Sequence, residues 1–327
     1  MIDPPPALGP DADVPAYWKG LGLPGLVDCH VHVMPQQLLD RVWAYFDGVG
    51  PREGLEWPIT YRWTQERRLE HLRAMGVRAF PTLLYAHKAG MAESLNDWCR
   101  DFARDQRRAG HDDVVPSMTF FPEPGVTAYV DRALREGARI VKLHVQVGAF
   151  DPRDTALDAT WGLLADAGVP VVVHTGSGPM PGPFTGPGPF GEVLARHPAL
   201  TAVVAHLGMP EYDAFLDLVE RYPNVHVDTT MAFVDFWGGP AVQTRLARSL
   251  AARLDAVRDR VVLGTDFPNI PYRYGHQLEA LRRTGLDDDW LRAVLWDNGA
   301  RLLGLPPRWR PGQGGPDERA RPAADRD

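Results

Sequence analysis

Eight short apolar, β-branched runs recur along the chain between amphipathic stretches, and this alternation limits the fold more than any other feature. The runs are GLVDCHVHV (25–33), VRAFPTLLYAH (77–87), VVPSMTFFP (114–122), ARIVKLHV (138–145), VPVVVHTG (169–176), TAVVAHLG (201–208), NVHVDTT (224–230) and RVVLGTD (260–266). They lack the polar alternation of strands with one wet face, so they predict parallel strands buried on both faces and covered by helices. The intervening ERRLEHLRAMG, VTAYVDRALREGA and LDATWGLLADAG are helix-like and stop at Gly or Gly-Ala. Eight such units in about 280 residues fit an α/β fold of the (β/α)8 TIM-barrel type, in a single domain, better than an open doubly wound sheet. The segment DDDWLRAVLWDNGARLLGL (287–305) is expected to close the barrel from outside as a last helix. No G-x-G-x-x-G follows the first run and no G-x-x-x-x-G-K occurs, which argues against nucleotide binding.

The two ends differ from the middle. Residues 1–24 carry Pro4, Pro5, Pro6, Pro10, Pro15 and Pro24 and read as a Pro-rich N-terminal extension. Residues 25–305 hold the barrel, and the polar Pro/Gly-rich stretch 306–327 is expected to be a mobile tail. A formal charge of −7 argues against nucleic acid or an anionic membrane as the main partner. Two cysteines are too few for a disulfide framework, and the opening MIDPPPALGPDAD lacks the basic and apolar regions of a signal peptide. No run approaches the roughly 18 apolar residues of a membrane span. The expectation is a cytoplasmic protein acting on a small-molecule substrate, with a homodimer allowed for.

Two connections are too long to be plain turns. Residues 34–64, after the first run, are rich in aromatics and arginine, and GSGPMPGPFTGPGPF (176–190) follows the fifth. Both fall after strands, on the C-terminal face where barrels of this kind carry their active sites, and the second is expected to line or cover the substrate.

The histidines carry the chemistry. His30, His32, His144, His174 and His206 lie at or near the C-terminal ends of four runs. One strand histidine is usually a satisfied core residue, but five with an acid are hard to explain as packing, because buried imidazoles need partners. His30 and His32 are two apart and share a strand face, whereas Cys29 and Val31 point the other way. Two imidazoles on the barrel side make half of a tetrahedral metal site. Asp28 shares their parity and is a candidate supporting residue. Asp266 ends the eighth run, which barrel closure brings beside the first; it could ligate the metal or take a proton, the alternative being a helix N-cap before Pro268. His174 would supply a third imidazole, and His206 either ligates a second ion or acts as an unligated acid/base.

This ordered set resembles the amidohydrolase superfamily. DCHVH, VVVHTG, AHLG, GTDFP and the closing WDNGARLLGL are similar to its amidohydrolase-related branch, which includes aminocarboxymuconate-semialdehyde decarboxylase-like enzymes, over about residues 25–305. The resemblance implies one divalent ion, most often zinc, held by His30, His32, His174 and Asp266, with His206 beside the substrate. Hydrolases and non-oxidative decarboxylases both occur in this branch.

Only three of the 35 basic residues are lysine, and one of them, Lys142, is predicted to face inward beside His144. In related superfamily members a lysine on this strand is carboxylated and bridges two metals, which arginine cannot do. If Lys142 did so, a second ion would be bound through His174 and His206. The other readings are a lysine that holds a substrate carboxylate and one paired with an acid for structure. His144 is expected to face substrate with it, and His87 and Arg62 are weaker candidates for the pocket. The function expected is metal-dependent hydrolysis of a small organic molecule, with Asp266, His206 and Lys142 as the catalytic residues. The alternatives are a metal-dependent decarboxylase of an aromatic or muconate-type acid and a non-catalytic, metal-free binding barrel.

Overall fold

The computed structural model describes residues 9–50 and 56–305. Every predicted run contributes to a parallel barrel wall. The strands are β1 (Leu26–Val27), β2 (Val77–Pro81), β3 (Val114–Val115), β4 (Ser117–Met118), β5 (Ile140–His144), β6 (Val171–His174), β7 (Ala202–Val204), β8 (Val225–Asp228) and β9 (Val261–Val262). They pair in sequence order, β1-β2-β3 in one group and β4 through β9 in another, all parallel. The third run is split because Pro116 has no N–H to give the ladder. Its two pieces occupy one position in the barrel, which leaves eight. The amide of Thr82 bridges the split by donating to Ser117 Oγ at 2.9 Å.

Closure comes from irregular backbone beyond β1 and β9. Cys29 N–H donates to Leu263 O, Asp266 N–H to His30 O and His32 N–H to Phe267 O, each at 2.8 Å. Val31 bridges Phe267 in parallel. This seam sets the first and eighth positions side by side, so the H-x-H pair and Asp266 meet. Across β5 and β6 the register pairs His144 with His174 directly.

Helices cover the outside as the periodicity predicts. Gln65–Ala74 is capped by Thr64, and Asp288–Arg292 by Asp287, whose side chain accepts from Trp290 N–H at 2.7 Å. The last helix buries Trp290, Leu291, Val294 and Leu295 and contains a π-turn over Ala293–Asp297. The Val294 carbonyl accepts from Leu263 N–H at 3.0 Å, so this helix is bonded to the barrel wall itself. Residues 11–24 also dock there. Trp18 lies over Gly76 and donates to Met75 O at 2.9 Å, and Asp11 is buried.

The long connection after β1 forms a helix, Gln36–Asp47, and residues 56–64 then run against the segment after β9, where Thr60 N–H donates to Ile270 O at 3.0 Å. Two indoles hold it to the segment after β9: Trp43 Nε1 donates to Asn269 Oδ1 at 3.2 Å, and Trp57 Nε1 to Asn269 O at 2.8 Å. Among the described residues no helix is long and apolar enough to cross a membrane.

Candidate metal centre

His30, His32 and Asp266 bring their ligand atoms within 4.8 Å of one another. Asp266 Oδ1 lies 2.7 Å from His32 Nε2 and 3.6 Å from His30 Nε2. Each imidazole is fixed from behind. His30 Nδ1 donates to Asp228 Oδ2 at 2.8 Å, with Thr230 Oγ1 at 3.0 Å, and His32 Nδ1 donates to Leu83 O at 2.7 Å. With Nδ1 holding the proton, both Nε2 atoms present lone pairs to the centre. His32 Nε2 therefore faces a carboxylate oxygen at 2.7 Å, an arrangement that suits a shared cation, a proton or a metal ion. Two buried, anchored imidazole nitrogens and one partly exposed carboxylate oxygen suit a borderline divalent ion, so the residues fit the metal that the sequence implies.

The surrounding charges keep the site in its ligating form. Burial lowers the proton affinity of His30, and the nearby Lys142 ammonium lowers it further. His174 is pushed down to about 4, and His144 and His206 fall well below the ordinary imidazole range, burial being the main cause in each. Burial opposes ionisation of Asp266, but positive charge on the histidines outweighs it: a proton on His32 Nε2, bonded to Oδ1, holds the carboxyl well below the usual range, and a metal ion would take that proton's place. Neutral imidazoles and an ionised carboxylate are what metal binding requires.

No helix starts at Asp266. Its backbone is left-handed (φ 66), its amide donates to His30 O and its side chain turns to the histidines. His206 is likewise left-handed (φ 58), its ring 5.3 Å from that of His30 and 4.7 Å from that of His174. Its Nδ1 is buried without a partner. Non-glycine residues in this region are strained and are held only where the surroundings over-determine them, as at functional sites.

The other candidates separate. Lys142 is 1% exposed and its Nζ donates to His30 Nε2 at 2.9 Å. Burial lowers its pKa to about 8, against the pull of Asp228 and Asp266. His144 stacks on His174, with centroids 4.0 Å apart. His174 belongs to this histidine cluster, but its Nε2 lies 2.9 Å from the Gly178 carbonyl, outside the three-residue ligand group. His87 is exposed, because β2 ends at Pro81 and the chain leaves the wall as a loop. Tyr85, two residues earlier, approaches the rings of His32 and His144 instead. Arg62 pairs with Asp47 and stacks on Trp43, on an open cavity of about 530 Å³ that also takes in Pro35, Trp63 and Trp98; none of the site histidines lines it.

Sequence reasoning passed over Asp228, Thr230, Tyr85 and Gly264. The available signal for Asp228 was an acid near the end of the seventh run, as Asp266 closes the eighth. Asp28 does support the site, but through the backbone: Oδ1 accepts His30 N–H at 3.1 Å, and Oδ2 accepts Thr265 Oγ1 at 2.6 Å and Tyr274 Oη at 3.0 Å.

A sequence model of the amidohydrolase family matches residues 27–305. No curated protein matches the chain. The fold is similar to an uncharacterised TIM-barrel protein of Bordetella bronchiseptica, at TM-score 0.64 and 21% identity, covering 86% of this chain and 98% of that one. It is similar to a probable 2-pyrone-4,6-dicarboxylic acid hydrolase of Acinetobacter baumannii with citric acid bound (0.59; 14%; 86% and 99% covered). It also resembles a 5-carboxyvanillate decarboxylase of Novosphingobium aromaticivorans, complexed with manganese and 4-hydroxy-3-methoxy-5-nitrobenzoic acid (0.56; 14%; 86% and 96% covered). At these identities the likeness in structure speaks for the TIM-barrel fold. The match over most of the sequence places this chain in the amidohydrolase family, whose metal-dependent members include hydrolases and decarboxylases.

Proposed function

We propose, on the premise of that family membership, that this protein is a metal-dependent hydrolase of a small organic acid. His30, His32 and Asp266 would hold one divalent ion, zinc or manganese, and His174 would join them by exchanging its bond to the Gly178 carbonyl. When bound, the ion supplies Lewis acidity, which polarises a carbonyl and lowers the pKa of water. The observation that carries this reading is the pair of Nδ1-anchored imidazoles whose Nε2 lone pairs converge on one carboxylate oxygen.

The chain's own groups divide the remaining work. Asp266, ionised and only partly exposed, accepts the proton that the attacking water gives up. His206, with Nδ1 free and its ring between His30 and His174, holds or returns a proton at the leaving atom. The Lys142 ammonium is the one buried ammonium in the described barrel and pairs with an anionic substituent of the substrate. Tyr85, His144 and His174 offer ring faces on one side, and the Gly/Pro segment after β6 borders them through Gly178.

The second reading is decarboxylation of an aromatic acid. A buried lysine beside the histidines would hold such a carboxylate equally well, and both hydrolase and decarboxylase structures share the fold. Metal analysis of the purified protein, followed by turnover of lactone, amide and aromatic-acid substrates with product identification, tests both. Less than about a tenth of an equivalent of Zn, Mn or Fe after gentle purification or reconstitution sinks the metal-enzyme reading. Release of CO2 without net addition of water replaces hydrolysis by decarboxylation.

A further inference from the structure

The roles assigned above leave out a fully buried carboxylate. Asp228 closes β8, has no exposed surface and faces only donors. Its Oδ2 accepts Nδ1–H of His30 at 2.8 Å. Its Oδ1 accepts the backbone N–H of His206 at 2.8 Å and of Thr230 at 3.0 Å. One side chain thus touches the ring of a candidate metal ligand and the backbone of the candidate acid/base. Burial disfavours its charge, but the hydrogen bond from His30 and the nearby Lys142 ammonium hold the carboxyl below its usual range.

The space around it is also reserved. A Cβ on Gly264 would come within 2.4 Å of Thr230 Oγ1, 2.8 Å of His30 Cβ and 3.0 Å of the Asp228 carboxyl carbon. Gly264 has no positive φ, so the glycine serves closeness here and not backbone conformation. On the other side of His30, Lys142 Nζ donates to Nε2 and requires a lone pair there, which independently assigns the ring proton to Nδ1.

We propose that Asp228 is a positioning residue: it fixes the tautomer of His30 that can ligate a metal and, with its other oxygen, holds the left-handed turn that aims His206. The first half rests on the metal-centre reading above. The chemistry requires a carboxylate and not merely a polar group. An asparagine has one acceptor oxygen for donors on two sides. If its NH2 faces His30, Nδ1 must become the acceptor and Nε2 carries the proton, so that ligand is lost. If its NH2 faces His206, two N–H groups oppose each other and the turn loses its anchor.

The test is the ring tautomer, read by 15N NMR in the metal-free protein, together with Mn²⁺ and Zn²⁺ titration of wild type and Asp228→Asn. The wild type is expected to carry the His30 proton on Nδ1. The variant should lose that proton position with a metal Kd about 10–100-fold weaker, as for other partners of ligating histidines, or keep it while the His206 amide exchanges about tenfold faster with solvent. Either pattern supports the proposal. A bare Nδ1 on His30 in the wild type overturns it, and needs no variant to fold. So does a variant that keeps metal affinity within about twofold and the His206 amide protected. A wild-type protein that takes up neither metal refutes the metal-centre reading, while the tautomer and the amide exchange still decide the part played by Asp228.

Discussion

Gly264→Ala is the smallest change that should disturb the centre without touching any group with chemistry of its own. The added methyl would meet Thr230 Oγ1 at 2.4 Å and His30 Cβ at 2.8 Å, both closer than carbon contacts allow. Neither neighbour can retreat freely, because Thr230 Oγ1 and Asp228 share the His30 Nδ1 proton and Thr229 Oγ1 is bonded to Gly264 N–H and O at 3.2 and 3.3 Å. Overpacking of this kind costs about 1–3 kcal/mol. In a chain of this length about 2 kcal/mol corresponds to a Tm lower by roughly 3 °C. The diagnostic part is the response to metal. At a metal concentration 100 times the wild-type Kd, binding stabilises the wild type by about 2.7 kcal/mol. If the shifted His30 binds 10- to 100-fold more weakly, that increment falls to between about 1.4 and 0.4 kcal/mol. Differential scanning calorimetry with and without Mn²⁺ or Zn²⁺ measures both. A Tm within about 1 °C of wild type shows that the space is not needed. A lower Tm with an undiminished metal increment shows that the packing around Gly264 does not set the site.

Further outcomes follow from the same geometry. Lys142→Met removes the ammonium beside His30 Nε2 at nearly constant volume; metal affinity should hold or rise while kcat/KM falls at least about tenfold, and unchanged turnover would exclude a substrate-pairing role. Asp11 is held below the ordinary carboxyl range because hydrogen bonds from His71, the Gly275 amide and Tyr61 outweigh its burial. Its stabilising contribution is therefore present above about pH 4 and is lost as pH falls through the lower folded value. Urea midpoints of Asp11→Asn should show a shallower loss of stability between about pH 5 and 3 than wild type, and parallel curves would refute the assignment. His87→Ala should leave metal content and turnover unchanged, since the side chain is exposed; a large loss of kcat would return it to the pocket. Arg62→Ala should change unfolding free energy by less than about 1 kcal/mol, because its pair with Asp47 is exposed, and a larger loss in a urea titration would contradict this.

The barrel was legible because its strands are buried on both faces and leave an unbroken apolar record in the sequence. The record carries parity as well: Lys142 and His144, two apart, both reach the histidine cluster. Strand ends were less legible. The second run stays apolar to Ala86, yet β2 stops at Pro81, and its later amides find side-chain oxygens, as when Ala86 N–H donates to Thr119 Oγ1 at 3.2 Å. Apolar composition cannot separate a strand from a buried loop supplied in this way, and His87 was placed too close to the pocket for that reason. Asp28 faces inward as parity predicts, but only closure reveals that it takes the His30 backbone amide and not a ring. Asp228 was hidden differently. It and His30 are 198 residues apart, and their contact exists only once the first, seventh and eighth barrel positions curve together around Gly264.

The distribution of buried charge bears on the metal-free alternative. Within one barrel mouth the chain gathers the buried carboxylate of Asp228, the partly exposed one of Asp266, the carboxyl of Asp28 that burial pushes up to about 7, the ammonium of Lys142 and the rings of His30, His32, His174 and His206. Desolvation makes such a set costly, and an apolar layer of the same volume would stabilise the fold at least as well. A binding barrel without metal would need charges complementary to its ligand, but it would gain nothing from aiming two internal acceptors at each other. Here the Nε2 lone pair of His32 and an oxygen of Asp266 stand 2.7 Å apart, while the Nδ1 proton of His32 is already committed to Leu83 O. Repulsion between those acceptors is relieved only by a cation between them. A proton on His32 Nε2 could serve as well, since the Nε2 of His30, 3.6 Å from the same oxygen, already accepts from Lys142 Nζ at 2.9 Å; metal analysis separates the two. Convergence of both rings on that oxygen is what a shared divalent ion requires.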